Sequence, residues 1–386
     1  MLRVLHTADV HLGARHADLG EQAVAQRERQ FSAFRASVDL AIRERVDLFL
    51  IAGDLFDSNV QPRRSVDRVA AEIRRLVEAR IRTVMIPGTH DVYDRASIYR
   101  SYDIPALAGA GGTDLVTLLT PDQSSVRLAP LDVTVHGRVF ATKRAPHSPL
   151  QGMDASGDQS TWQIGMVHGS IAIPNTTSSD EVVITTDEIA ATHLDYLALG
   201  HWHSSSRGKV GSTVYAYSGA PEPVALDQDR AGNVLIVSLD QQDGKKQVAV
   251  EARRVGRTKF EKLELDAAAI ATQPALIEQL ASRADTDLVL DVQLIGVRPD
   301  LLDVHEEEVE AALAGSFLKV RVRDRSMPAL SDGPLPPEDT ILGAFVRDVE
   351  ARVAELDDAG DADGAGELRD VLRLGRLLLA GEEVTL

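Results

Sequence analysis

An α/β domain with a covered sheet, followed by a smaller α+β region and two terminal helices, is the fold class this sequence predicts. Three observations point to it. Short apolar runs alternate with amphipathic helical stretches over roughly the first 90 residues; strand-like segments dominate between about 160 and 255; and past 260 a strand, a helix and a strand precede a proline-rich stretch and two leucine-rich segments.

The elements follow in order. Leu2–Thr7 is a short apolar strand. Glu21–Glu44 carries Phe31, Phe34, Val38, Ala41 and Ile42 at the spacing of one helical face. Asp47–Ala52 reads as a second, buried strand, and Pro62–Arg80 as a helix with Pro near its start and Val66, Val69, Ile73, Leu76 and Val77 on one side. Arg82–Ile86 is a third strand; Trp162–Val167, Asp195–Leu199, Val214–Ser218, Asn233–Leu239 and Gln247–Val255 are further ones. Beyond residue 260, Leu288, Leu290, Val292 and Leu294 alternate as a half-buried strand, a helix follows over about Val304–Ala314, and Phe317–Arg323 is another strand. Pro328–Pro337 reads as a linker. Leu342 to Leu356 and Leu368 to Leu378 form two amphipathic helices joined by an acidic loop, Asp357–Gly366.

Composition excludes several classes. With 44% hydrophobic residues the chain is too apolar to be disordered. Nothing approaches the ~18 consecutive apolar residues of a membrane span, and Asp9 comes too early for a signal peptide, so a cytoplasmic protein without membrane contact is expected. The absence of cysteine removes disulfides and thiolate metal sites, leaving His, Asp, Glu and carbonyl oxygens as ligands. The net charge of −18 is uneven: residues 1–260 hold 29 basic and 31 acidic residues, whereas 261–386 hold 12 and 28. Tight unaided binding of nucleic acid by the whole chain is not what this balance predicts. Local basic strips remain open.

Five of the strands end in the same chemistry: Asp9-Val10-His11, Gly53-Asp54-Leu55-Phe56-Asp57, Gly88-Thr89-His90-Asp91, Val167-His168-Gly169 and Gly200-His201-Trp202-His203. Ligands bind at the carboxyl ends of strands in open α/β sheets, and here those ends present carboxylates and imidazoles each time. Any one fragment is weak evidence. Five in order predict a metal centre.

These motifs resemble those of the calcineurin-like metallophosphoesterases, and Leu12-Gly13, Leu55-Phe56-Asp57 and Tyr217-Ser218-Gly219-Ala220-Pro221 are similar to the SbcD/Mre-type DNA repair nucleases within them. The resemblance covers roughly residues 1–255 and implies a four-layer α-β-β-α sandwich with a smaller α+β capping domain and C-terminal helices. It divides the chain into a nuclease domain (1–260), a capping and DNA-binding domain (261–330), and a linker with helices that dock an ATPase partner (331–386). It implies two divalent metal ions: Asp9, His11 and His203 on the first, His168 and His201 on the second, Asp54 bridging. Thr89 stands where the family has an asparagine ligand, which predicts a weakened second site. His90 is expected to contact the scissile phosphate and protonate the leaving 3′-oxygen, with Asp91 orienting its imidazole. Mixed imidazole and carboxylate ligands suit Mn²⁺, Fe²⁺ or Zn²⁺ better than Ca²⁺ without choosing among the three, and the resemblance implies Mn²⁺ first.

The function so implied is a 3′–5′ exonuclease and endonuclease acting in double-strand break repair on DNA, as a homodimer with an SbcC-like coiled-coil ATPase. Two other readings stand beside it: a small-molecule phosphoesterase acting on cyclic nucleotides, and a weakly active DNA-end scaffold marked by Thr89. Lys319, Arg321 and Arg323 share one face of their strand and form either a DNA-contacting strip or the charged guard of an edge strand. The terminal helices are either cap core or docking helices. His16 is a candidate for approaching substrate; His136, His147, His193 and His305 are expected to be structural, and Gly109–Gly112 to be a turn.

Overall fold

In the computed structural model, described over residues 1–173, 177, 182–223, 228, 230–299, 301–328 and 336–380, the chain divides into two units, Met1–Lys259 and Phe260–Leu386. The first is built on two six-stranded sheets. Sheet one holds β1 (Leu2–Thr7), β2 (Leu48–Ala52), β3 (Arg82–Ile86), β4 (Val116–Leu118) and, further on, β11 (Asn233–Gln242) and β12 (Lys245–Arg254), in the order β12-β11-β1-β2-β3-β4. Sheet two holds β5 (Ser125–Leu128), β6 (Val133–Gly137), β7 (Trp162–His168), β8 (Tyr196–Gly200), β9 (Ser206–Val210) and β10 (Thr213–Tyr217), in the order β9-β10-β8-β7-β6-β5.

Burial explains the layering. β2 is buried at every position, as a strand covered on both faces must be. One face of sheet one (Leu5, Phe49, Ile51, Met85) packs on helices α1 (Ala23–Arg43) and α2 (Arg63–Glu78) through Phe34, Val38, Val69 and Ile73. Its other face (Val4, Leu48, Leu50, Val84) meets Val135, Ile164, Met166 and Ala198 of sheet two. Sheet two is covered in turn by the short helix α3 (Thr186–Ala191) and Leu150, which pack on Val167, Leu197 and Tyr217. These are the four layers of an α-β-β-α sandwich.

What matters for the site is direction. β1, β2 and β3 run parallel, with Thr7 opposite Ile51 and Ala52 opposite Ile86. β7 and β8 are also parallel, with His168 opposite Gly200. In each sheet the motif-bearing strands therefore deliver their carboxyl ends to the same edge.

The second unit contains a three-stranded sheet of β13 (Lys259–Asp266), β14 (Asp285–Ile295) and β15 (Phe317–Asp324), order β13-β14-β15, with β14 and β15 parallel. Helices α4 (Gln273–Ala281) and α5 (Glu306–Ala312) contribute Leu276, Leu280 and Val309 to its core. Helices α6 (Ile341–Ala359) and α7 (Ala362–Ala380) pack on each other through Val346, Val349 and Leu372. The acidic loop expected at 357–366 is corrected: α6 runs to Ala359 and α7 begins at Ala362. Gly360 closes α6 at φ 75°, and the Asp361 side chain accepts from Gly364 N at 3.0 Å, so two residues suffice for the turn. The linker expected at Pro328–Pro337 lies, for 329–335, outside the described residues. The sequence reading also missed β4, β5, β6, β9, β13, α3 and α4. β4, β5 and β9 are sheet-edge strands, short and partly solvated, and edge strands lack the apolar run that marks a central one.

Candidate metal centre

The loops after β1 and β2 run side by side, tied by Asp9 N to Gly53 O (3.1 Å), His11 N to Asp54 O (3.0 Å) and Leu12 N to Leu55 O (3.0 Å). Asp9, His11 and Asp54 all have left-handed backbones, with φ of 54°, 48° and 50°. Such conformations cost roughly 1–3 kcal/mol each for residues with a side chain and cluster at functional sites. Gly53 is needed for proximity: a Cβ there would lie 2.3 Å from the His168 ring. Likewise a Cβ on Gly88 would strike the Asp54 carboxylate at 2.2 Å.

The side chains converge in three groups whose ligand atoms lie within 4.8 Å of one another: Asp9, His11 and His203; Asp9, Asp54 and His168; and His11, Asp57 and His90. Asp54 is buried, and its Oδ2 lies 3.1 Å from His168 Nε2 and 3.8 Å from His11 Nε2. His168 Nδ1 faces the Ala52 carbonyl at 3.0 Å. A carbonyl only accepts, so Nδ1 carries the proton and a lone pair on Nε2 points at a carboxylate oxygen. Only a second proton or a cation can satisfy that pair. His11 Nε2 and His203 Nε2 also face each other, at 3.0 Å.

Electrostatics agree. Burial opposes charge on His168, yet Asp54 and Asp9 outweigh it and push its pKa up to about 10. Asp54, despite burial, is held far below the carboxylate range by His168 and His11. Burial pushes Asp9 up to about 6, with the Asp54 charge adding to it. Burial and then His11 drive His203 down to about 3. His11 is raised: burial is outweighed by its contact with Asp57 and by the charges of Asp54 and Asp9. Cation-seeking lone pairs crowded into a buried space, with one imidazole N–H anchored on a backbone carbonyl, are what a divalent metal requires. The residues fit.

Several expectations need adjustment. Asp91 does not orient His90. Its carboxylate is filled by Gly88 N (2.7 Å), Phe56 N (3.1 Å) and the Tyr99 hydroxyl (2.6 Å). The group beside His90 is Asp57, whose carbonyl accepts from Nδ1 at 3.1 Å and whose carboxylate also lies 3.3 Å from His11 Nδ1. Asp57 was quoted in the second motif but given no role; an acid three residues beyond Asp54 was the available signal. His201 belongs to none of the three groups. Its backbone N–H donates to Asp9 Oδ1 at 2.9 Å and its ring meets that of His168 edge-on at 5.4 Å. Thr89 is buried and lines a cleft with His168. His16 is withdrawn from substrate, being buried with Nε2 on Gln30 at 3.0 Å. His136 and His193 are paired with Gln163 and Asp154.

Trp202 and Tyr217 stand within the quoted motifs, but the sequence alone gave neither a role; the structure makes both positioning residues. Their rings stack at 4.8 Å, Trp202 Nε1 donates to Ser170 Oγ at 3.0 Å, and the Tyr217 hydroxyl donates to Gly169 O at 2.9 Å. The loops carrying His168, His201 and His203 are thereby braced together.

In the second unit Lys319, Arg321 and Arg323 do share a face of β15, but not as three free cations. Arg323 Nη2 donates to both carboxylate oxygens of Asp291 on β14, at 2.8 and 2.7 Å, while Arg321 is exposed.

The family profile described as calcineurin-like phosphoesterase matches residues 2–205. Among curated proteins, the chain is 29% identical over 246 residues to the DNA double-strand break repair protein Mre11 of Aeropyrum pernix, covering 62% of this chain and 58% of that one. It is 23% identical over 410 residues to the protein of the same name from Halobacterium salinarum, covering 94% and 96%. It is 25% identical over 238 residues to a subunit of the nuclease SbcCD from Staphylococcus epidermidis, covering 57% and 61%. The chain thus spans under two-thirds of the Aeropyrum and Staphylococcus relatives.

Proposed function

Because the chain belongs to the calcineurin-like phosphoesterase family, whose members bind divalent metals, we propose that this centre hydrolyses phosphodiester bonds of DNA as a two-metal nuclease. The observation that carries the reading is the meeting of His168 Nε2 with Asp54 Oδ2 at 3.1 Å in a buried space. Asp9, His11 and His203 would hold one ion, His168 and His201 the other, with Asp54 shared and Thr89 beside the second. Bound there, two divalent ions supply charge stabilisation for a phosphodiester under attack and lower the pKa of water. The ligand set admits Mn²⁺, Fe²⁺ or Zn²⁺, and we take Mn²⁺ first from the family resemblance.

The chain's own residues do the rest. The Asp57 carbonyl accepts a hydrogen bond from His90 Nδ1, so the proton given to the leaving 3′-oxygen is the one on Nε2 when both ring nitrogens are protonated. His90 is exposed, as a group that meets substrate must be. The relatives' names, double-strand break repair protein and nuclease subunit, support a role in break repair. We extend it to 3′–5′ exonuclease and endonuclease action in the cytoplasm, by a homodimer paired with an SbcC-like ATPase. No helix among the described residues is long and apolar enough to cross a membrane.

The test is Mn²⁺-dependent degradation of labelled single- and double-stranded DNA, with and without the ATPase, against His90→Ala. Cleavage lost in that variant supports the reading. Hydrolysis of cyclic nucleotides without DNA cleavage returns the small-molecule reading, and DNA binding without any hydrolysis returns the scaffold.

A further inference from the structure

Beside Thr89 and His168 lies a small cleft that is also lined by the segment after β6. Phe140, Arg138 and Lys143 line it. That segment is chemically unlike the rest of the chain. In a protein of net charge −18, residues 133–153 contain no Asp or Glu and carry Arg138, Lys143 and Arg144. Arg138 closes the base of the loop by donating to Gln151 O at 2.7 Å, and Thr142 Oγ1 ties the tip to Arg144 O at 2.8 Å. Among the described residues neither the Lys143 nor the Arg144 side chain has an ion-pair or hydrogen-bond partner, and both are exposed.

Phe140 is as telling. It is half-buried, joins none of these packed cores, and its ring meets that of His147 edge-on at 5.2 Å and 87°. An aromatic ring held at the mouth of a metal centre, with unpaired cations next to it, has the two ingredients of single-strand recognition: a stacking face for a base and positive charge for the backbone.

We propose that the loop 138–148 seats an unpaired nucleotide of a DNA strand end, Phe140 stacking on a base while Lys143 and Arg144 hold flanking phosphates. The proposal rests on the nuclease reading and adds the form of substrate: a strand unwound where it enters the cleft, not an intact duplex. An aromatic face accepts every base, so the seat confers no sequence preference.

The experiment uses the full chain with Mn²⁺ and a single-stranded oligonucleotide bearing 2-aminopurine at its 3′ end. Phe140→Ala should weaken binding about tenfold and abolish the quenching of 2-aminopurine, and Phe140→Trp should keep both. The double variant Lys143→Gln, Arg144→Gln, exposed at both positions, should lower the slope of log affinity against log salt by about 1.4, or ~0.7 per lost phosphate contact on a single strand. Unchanged quenching and slope, with the oligonucleotide still cleaved by the unaltered protein, would overturn the seat and leave the nuclease standing. An unaltered protein that hydrolyses bis(p-nitrophenyl) phosphate but neither binds nor cleaves the oligonucleotide would remove the nuclease reading, and the seat with it.

Discussion

The Tyr99 hydroxyl donates to Asp91 Oδ2 at 2.6 Å with both residues buried, and Asp91 uses its remaining capacity on the backbone N–H groups of Gly88 and Phe56. One carboxylate therefore staples the loop after β3 to the loop after β2, the two segments that carry His90 and Asp54. Removing it strands three donors, two of them buried. Asp91→Ala should cost about 3 kcal/mol of folding stability and Tyr99→Phe about 1 kcal/mol, read by urea unfolding. Stability unchanged in Asp91→Ala would show that the staple is not structural.

Thr89 offers a short hydroxyl beside the second proposed ion. Thr89→Asn should raise metal affinity at that site and phosphodiesterase rate, each by roughly tenfold, the scale on which metal-site partners act. Titration calorimetry with Mn²⁺ and initial rates on a small diester check both; identical values for the two proteins would make the threonine a competent ligand.

Metal removal should destabilise the fold, because the cluster then keeps buried carboxylates and imidazoles together with protons alone. A ligand present at about a hundred times its dissociation constant stabilises by ~2.7 kcal/mol per site. Thermal melting should rise with added Mn²⁺, fall again with chelator, and lose much of its response in His168→Ala. A melting temperature indifferent to Mn²⁺ would mean that the cluster does not bind it.

His6 provides a pH-dependent term away from the cluster. It is buried in β1 with Nδ1 2.8 Å from the Tyr196 hydroxyl, and burial lowers its pKa from 6.5 to about 3. Between those values the unfolded chain holds a proton that the folded protein refuses. The stability involved is therefore whole above pH 6.5 and declines as pH falls toward 3, by about 1.4 kcal/mol per unit. In chelator, His6→Gln should show a shallower loss of stability on acidification, by about one proton, between roughly pH 4 and 6. Parallel curves would mean that His6 is protonated in the folded state.

Much of the sandwich could be read from the sequence because its central strands are buried on both faces and its helices carry one clean apolar stripe; Leu48–Ala52 and Val66 to Leu76 are plain examples. Edge strands such as Ser206–Val210 were missed, since partial solvation leaves no apolar pattern to see. At the candidate metal centre the motifs come together in space, but their spacing does not say who touches whom. Asp91 and Asp57 are both acids flanking a histidine, and only the backbone course shows that one faces Tyr99 and the other His90. The stacking of Trp202, in the loop after β8, on Tyr217, at the end of β10, joins residues 15 positions apart, a contact that no spacing announces.

The decisive measurement is anomalous diffraction at the manganese edge, from crystals grown with Mn²⁺. Two peaks are expected to flank the Asp54 carboxylate, one among Asp9, His11 and His203 and the other beside His168 and His201. No peak within coordination distance of Asp54 would contradict the metal centre.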